Sequence, residues 1–504
     1  MNLATTSRLI AISIALCQAA ASTALASDVR LVDAVKMRDS ATVSSLLAKR
    51  VDVNSPAPDG ATALHWAAHW DDHDLVARLI AAGANVNSKN DLGVTPLALA
   101  CENASLPVAT LLVEHGGDVN LPANGEAPLM IAARSGNEKL VSFLLARRAE
   151  VNATDPRHGQ TALMWAVAHR HADVVKQLLS HGADLGTRSK TDSLRMATIN
   201  RYGGTGDGKD RGVVDAVEGG GTALLFAARE GDVASAQLLL DAGADPNDRM
   251  ADGTGALVLA AHSGNSLVAK LLLERGADPN DNRVGYTALL AAVLRGDGDL
   301  VSALLSRGAN PNARLERGTT SRRYSKDYAL DGQWVGATPF WLAARFAELG
   351  IMKTLAAAGA DTKMVANDGA TPLVSSLQAG TDSGPTVSDR RGMRLDPEEH
   401  ASQNRHWDEH EKIALDTVKL AVELGADVNQ PNMAGDTALH FAASKRLNSV
   451  IEYLVSQGAT VDVPNERGAT PLANATAAER RIEEGDVGPH GTADLLKRLG
   501  AKGK

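Results

Sequence analysis

A Gly-Ala-Asp/Asn-x-Asn signature recurs along the chain with its glycine at Gly83, Gly116, Gly182, Gly243, Gly276, Gly308, Gly359, Gly425 and Gly458. Arg50 and Arg148 stand in the same slot, before Val51-Asp52-Val53-Asn54 and Ala149-Glu150-Val151-Asn152. Successive intervals are 33, 33, 32 and 34 residues, then 61, 33, 32, 51, 66 and 33. The three long intervals mark inserts of about 28, 18 and 33 residues, and a fourth excess lies before Gly500-Ala501; the remainder divides into about twelve units. A chain of 504 residues would otherwise suggest three or four globular domains. A fixed period near 33 instead predicts stacked units, each packed only on its neighbours.

Composition agrees with that reading. The chain is 44% hydrophobic but only 3% aromatic, whereas large globular cores are usually rich in rings. Thin layers of alanine and branched aliphatics are therefore expected. With only Cys17 and Cys101, a disulfide scaffold is excluded. The net charge of -9 speaks against a general polyanion binder, so no nucleic-acid partner is expected.

Residues 1–26 read as a secretory signal peptide: Arg8, an apolar stretch from Leu9 to Leu16, and small residues ending in Ala24-Leu25-Ala26. The apolar stretch is shorter than the roughly 20 residues that span a bilayer, which disfavours a membrane anchor. Cleavage after Ala26 would remove Cys17, and a periplasmic or secreted location follows. No later segment has the length and apolarity of a membrane span.

Units after the first, which lacks it, carry a second motif, as in Gly93-Val94-Thr95-Pro96-Leu97, Gly60-Ala61-Thr62-Ala63-Leu64-His65-Trp66-Ala67-Ala68, Gly435-Asp436-Thr437-Ala438-Leu439-His440-Phe441-Ala442-Ala443 and Gly369-Ala370-Thr371-Pro372-Leu373. Thr95 can cap a helix, and Pro96 fits its first turn, where a missing N–H is harmless. The Ala-Ala pair allows close helix approach, and Leu79-Ile80 or Leu271-Leu272 supply a buried stripe on a second helix. Gly83 and its equivalents end that helix in the left-handed region. The pattern resembles the ankyrin repeat over nearly all of the chain after residue 26. The resemblance implies an all-α ankyrin-repeat solenoid of about twelve helix-turn-helix units with β-hairpin-like fingers and several inserts. Repeats are expected over residues 27–188, 219–314, 336–378 and 413–504, the first and last units being caps. Inserts are expected over 189–218, 315–335 and 379–412.

The resemblance also implies a non-enzymatic interaction scaffold, monomeric and without cofactor, that grips a protein through its fingers and the concave face of the first helices. The variable positions after Ala-Ala include His69, Trp70, Arg134, Arg229, His262, Arg295, Arg345 and Phe346. Arg and aromatic side chains are frequent binding anchors. The second insert adds Arg322, Arg323, Tyr324, Tyr328 and Trp334. An acidic, carboxylate-bearing partner would suit so many basic groups; ordinary solvated helix ends are the plain alternative.

The other motifs are weaker. Gly203-Gly204-Thr205-Gly206-Asp207-Gly208-Lys209-Asp210 nearly forms a phosphate-cradling loop, but Asp210 replaces the Ser or Thr that holds magnesium; a flexible finger extension is expected. In the third insert, Asp396-Pro397-Glu398-Glu399 reads as a helix start, and His406-Trp407-Asp408-Glu409-His410 has the His-x-x-Glu-His form of an inverted zinc-peptidase motif. That segment supports an alternative, a zinc hydrolase or metal-binding protein with Glu409 as base, although no third ligand is obvious beyond an available His400. At ~100° per residue, however, Trp407 shares the inward face of Val418 and both histidines lie to the side. His69 and His73 form a similar pair. His65 and His440 are expected to hydrogen-bond between repeats, and Cys101, in the small-residue slot, to be a buried thiol.

Overall fold

The computed structural model describes residues 29–197, 213–319, 330, 332–377, 403–480 and 491–502. Two compact units divide the chain: residues up to 135 with 142–149, and residues 136–141 with 150 onward.

In the first unit the helices come in hairpins: α1 (Arg30–Lys36) with α2 (Ser40–Ala48), α3 (Ala63–His69) with α4 (His73–Ala81), and α5 (Pro96–Glu102) with α6 (Leu106–Glu114), followed by α7 (Pro128–Ser135); α8 (Glu138–Ala146) crosses the division. The first helices α1, α3, α5 and α7 pack side by side in that order. Each is seven or eight residues long because its limits are chemically set. The Thr95 hydroxyl accepts from Ala98 N at 3.1 Å, and Pro96 opens the helix. Ala67, Ala68, Ala100 and Cys101 are fully buried, which brings neighbouring backbones together, while Val76, Leu79, Val108 and Leu112 fill the space behind them. Each such aliphatic side chain withdrawn from water contributes about 1.5–3 kcal/mol. The Cys101 thiol sits in this layer, and burial pushes its pKa up to about 12.

The second unit repeats the design with α9 (Ala162–Ala168), α10 (Ala172–Ser180), α11 (Ala223–Glu230), α12 (Val233–Asp241), α13 (Ala256–Ser263), α14 (Ser266–Glu274), α15 (Ala288–Arg295), α16 (Gly298–Ser306), α17 (Pro339–Arg345), α18 (Leu349–Ala357), α19 (Pro372–Ser376), α20 (Gln403–Glu423), α21 (Ala438–Ser444), α22 (Asn448–Ser456), α23 (Pro471–Glu479) and α24 (Thr492–Arg498). Its first helices again stack in sequence, α9 on α11, α11 on α13, α13 on α15, α15 on α17, α17 on α19. The few large rings that enter the core, such as Tyr286 and Phe340, lie beside first helices, with Leu272, Leu304 and Leu454 on the second ones.

The signature itself is a hydrogen-bonded ladder. Within most of these turns the side-chain Oδ1 of the Asp or Asn accepts from the N–H two residues on, as Asp52 does for Asn54 at 2.9 Å and Asp278 for Asn280 at 2.9 Å. That Asn then reaches the next repeat. Asn54 Nδ2 donates to Gly83 O at 3.0 Å, and its Oδ1 accepts from Asn85 N at 2.7 Å. Asn87 bridges in the same way to Gly116 O and Asp118 N, both at 2.9 Å. In the second unit Asn152, Asn247, Asn280, Asn312 and Asn429 do likewise. The slot requires Asn because one side chain must both donate and accept. The glycine slot is left-handed, with φ +95° at Gly83; Arg50 and Arg148 hold the same region at φ 50° and 66°.

His65 and His440 make the expected bonds between repeats. His65 Nδ1 accepts from Thr62 N at 3.1 Å, so the proton resides on Nε2, which donates to Val94 O at 3.0 Å. His440 has the same partners in Thr437 N and Ala469 O. Trp341 occupies the corresponding position on α17 and donates from Nε1 to Ala370 O at 2.9 Å.

Two inserts grow from fingertips. In an ordinary finger the tip is closed by Asn90 N to Val94 O and Gly93 N to Asn90 O. At the first insert the same closure is made by Ser189 N to Gly221 O and Gly220 N to Ser189 O; at the second, by Leu315 N to Ala337 O and Gly336 N to Leu315 O. An arginine clasps each base: Arg188 Nη1 donates to Gly220 O and Arg249 O at 2.8 and 2.7 Å, and Arg314 Nη1 to Gly336 O and Val365 O at 3.1 and 3.0 Å. From the first base rises a ribbon of β1 (Thr191–Ala197) and β2 (Val213–Gly219), antiparallel with Thr191 opposite Gly219 and Ala197 opposite Val213. A flexible extension is expected from the sequence alone; regular pairing over seven residues shows ordered strands at its base. The Gly203–Asp210 segment lies outside the described residues. Other fingers are tight turns, so hairpin-like pairing is confined, among the described residues, to this ribbon and the bridges Ala123 to Glu126 and Arg249 to Gly255. The third insert separates α19 from the 21-residue α20.

Two predictions follow from these bonds. Asn87→Ala removes a donor and an acceptor, and should lower unfolding stability by about 2 kcal/mol in urea titrations; an unchanged midpoint would show the ladder to be decorative. Burial holds His65 and His440 below the ordinary imidazole pKa. Both favour the neutral form when folded, so their contribution is complete above pH ~6.5 and declines as pH falls below it, when the unfolded chain takes up the protons first. The urea midpoint should drop between pH 7 and 5.5, and the His65→Gln/His440→Gln double variant should flatten that drop.

Candidate partner-binding surface

The last turn of each first helix leaves carbonyls without helical partners, and a side chain of the next repeat often supplies the donor. Asn103 Nδ2 donates to Ala68 O and His69 O at 3.1 and 2.8 Å, and Asn265 Nδ2 to Ala228 O and Arg229 O at 2.9 and 2.8 Å. In the opposite direction, Arg170 of the preceding repeat reaches Glu230 O. The variable positions after Ala-Ala sit at this edge, and the structure divides them into staples and exposed groups.

Four residues expected to face a partner are engaged within the chain. Arg134 pairs with Glu126 at 2.8 Å. Arg229 pairs with Glu230 at 3.0 Å and lies 4.7 Å over the Phe226 ring. Arg295 donates from Nε and Nη2 to His262 O at 2.8 and 2.5 Å. The expected outward position of His262 is corrected outright: it is 0% exposed, with Tyr286 5.4 Å away between ring centroids. Large neighbours from the next repeat cover it, which the spacing of its own helix does not reveal.

His69 and Trp70 remain exposed, and the structure adds three residues to them. Trp66 and Trp70 lie 6.2 Å apart, with His69 at 5.6 Å from the first and 4.8 Å from the second. Lys36 Nζ stands 5.0 Å over Trp66, and the Arg38 guanidinium 4.2 Å over Trp70. Trp66 precedes the Ala-Ala pair, a position left out of the sequence reading although it shares a helix face with Trp70 four residues on. The same spacing stacks Trp165 on His169 at 5.9 Å in the second unit. Lys36 and Arg38 belong to the cap, where no signature marks them.

The second insert brings three other expected residues together. Trp334, in a short 3-10 turn (Gly332–Trp334), meets Phe346 edge-on at 5.5 Å, and the Arg345 guanidinium lies 5.1 Å from Trp334 and 5.8 Å from Trp341. Arg322, Arg323, Tyr324 and Tyr328 lie outside the described residues.

Metal-ligand geometry is absent among the described residues: no three His, Cys, Asp or Glu side chains gather to hold an ion. His406 and Glu409 fall where side chains are not described, and His400 lies outside the described residues. No described helix is long and apolar enough to cross a membrane.

The family model of ankyrin repeats (3 copies) matches residues 31–123, 118–189, 224–314 and 410–483. Human neurogenic locus notch homolog protein 2 is 36% identical over 127 residues, 25% of this chain and 5% of that protein. The ankyrin repeat and KH domain-containing protein mask-1 of Caenorhabditis elegans is 30% identical over 213 residues, 36% of this chain and 7% of that protein. The chain thus spans only a small fraction of these relatives. The crystal structure of the human ASB11 ankyrin repeat domain is 27% identical, with a TM-score of 0.40, covering 49% of this chain and 98% of that one. Repeats of this family serve as protein–protein interaction modules. Capped first helices, left-handed second-helix ends and a family match over more than half of the residues place this chain in the ankyrin-repeat family.

Proposed function

We propose that the protein is an exported, non-enzymatic scaffold that binds a partner protein, with no cofactor and as a monomer, after cleavage of residues 1–26. The observation that carries this reading is the pair of aromatic and cationic clusters, Trp66-His69-Trp70 with Lys36 and Arg38, and Trp334-Arg345-Phe346, on a framework whose family binds proteins. Trp and Arg side chains that keep part of their surface exposed are the groups that most often anchor protein interfaces. The positive charge of Lys36 and Arg38 beside the first cluster favours an acidic partner.

The test is affinity capture with the chain from residue 27 onward on an extract of its source organism, with mass spectrometry of what is retained. Arg345→Glu combined with Phe346→Ala should weaken capture about tenfold or more while the protein stays folded. Arg295→Ala should do the reverse: it leaves the His262 carbonyl unbonded, costing about 1–3 kcal/mol of stability, with capture unchanged. Equal capture by all three proteins would remove the assigned surface. Fractionation and N-terminal sequencing of the full chain test export; an intact Met1 in the cytoplasm would sink it.

A further inference from the structure

Most cations at the first-helix edge already have a partner in the chain: Arg134 in Glu126, Arg229 in Glu230, Arg295 in the His262 carbonyl. Lys36 and Arg38 do not follow this rule. Among the described residues no carboxylate pairs with either, and each stands over an indole instead, Lys36 over Trp66 and Arg38 over Trp70. Stacking fixes a cation without cancelling its charge. The side chains are thus ordered before any ligand arrives, which reduces the entropy lost on binding.

Among the described residues, neighbouring acids lie close by without pairing with either cation, Asp33 one turn before Lys36 among them. The Asp39 carboxylate accepts from Thr42 N and Thr42 Oγ1, Asp72 caps Leu75 N at 2.9 Å, and Asp74 lies 3.5 Å from His73. Asp71 is the remaining exposed acid of the turn. Apolar surface adjoins the cations: Met37 is 77% exposed and Trp70 37%. All of these residues lie within the first unit, at the C-terminal ends of the packed helices α1 and α3.

We propose that this edge receives an acidic peptide segment of the partner protein, with a Glu or Asp carboxylate against Lys36 and Arg38 and an adjoining apolar side chain on Met37 and the open edge of Trp70. The inference rests on the scaffold reading and names where, and by what chemistry, the first unit contributes to it. A peptide is favoured over a sugar because the two cations call for a carboxylate, which a neutral sugar does not carry. A nucleic acid meets a chain of net charge -9.

The test selects a displayed random peptide library on the immobilised chain from residue 27 onward, in parallel with Arg38→Glu and Trp70→Ala, after circular dichroism and urea midpoints show all three folded. Peptides enriched on the parent protein should combine acidic with aromatic or aliphatic residues. In fluorescence anisotropy their affinity should fall about tenfold or more on Arg38→Glu, and also fall with rising salt. Arg38→Gln supplies a milder variant should the charge reversal unfold the cap. Peptides that bind all proteins equally would overturn this site while leaving the scaffold reading intact. Enrichment without acids, or binding lost only on Trp70→Ala, would replace charge recognition with stacking and overturn the proposal. No enrichment at all overturns it too; the scaffold reading then stands or falls on native capture alone.

Discussion

The asparagine that closes each Gly-Ala-Asp/Asn-x-Asn turn is the interaction on which the rest of the structure depends. A stack of short helical hairpins leaves exposed, at every second-helix end, a carbonyl with no helical donor and, two residues later, an N–H with no acceptor. One amide side chain from the preceding repeat satisfies both. Asn54, Asn87, Asn280 and Asn429 do so at nearly constant distances. This sets the separation of neighbouring repeats at the loop edge, and buried alanines set it between the helices. Because both constraints recur about every 33 residues, no bulky core is needed, and a chain with 3% aromatic residues remains well packed.

The exceptions to the ladder are instructive. Gly186 and Lys363 replace the asparagine, and in each case an insert follows in the chain. Gly186 has no side chain to bridge with, and Arg188 holds the turn instead, through carbonyls beyond the insert. Beside Lys363, the Thr362 hydroxyl donates to Leu424 O at 3.1 Å, across the length of the third insert. At the last turn Asp462 keeps only the accepting half of the exchange, taking Lys502 N at 3.0 Å. A fingertip can therefore lengthen freely as long as its closing pair and a nearby arginine survive, since a longer loop adds little entropy once its ends are fixed.

The repeat architecture was legible because it rests on residues with unique chemical duties: Thr95 as cap, Gly83 as left-handed terminus, Asn87 as bridge. Each is recognisable from its own type and spacing. The candidate surface was only partly legible, for a physical reason. Whether Arg295 faces a partner or staples a helix depends on which acceptor the previous repeat leaves within reach, and that is a property of stacking. His262 is enclosed by Tyr286, a residue of the following finger. Lys36 and Arg38 escaped notice because the cap lacks the motif that would have aligned them with the other repeats. Trp66 was readable from the four-residue spacing to Trp70.

The same edge thus serves two competing uses. Every first helix of seven or eight residues ends in carbonyls that need donors, and the cheapest donors are Asn and Arg at the variable positions of the next repeat. A side chain recruited in this way is lost to binding, because withdrawing it would leave a buried acceptor unbonded at a cost of about 1–3 kcal/mol. Binding groups can therefore accumulate only among side chains that are not themselves recruited as staples. At α3 the two roles fall to different residues: Asn103 of the following repeat caps the carbonyls of Ala68 and His69, while the His69 and Trp70 side chains lie outward beside Trp66.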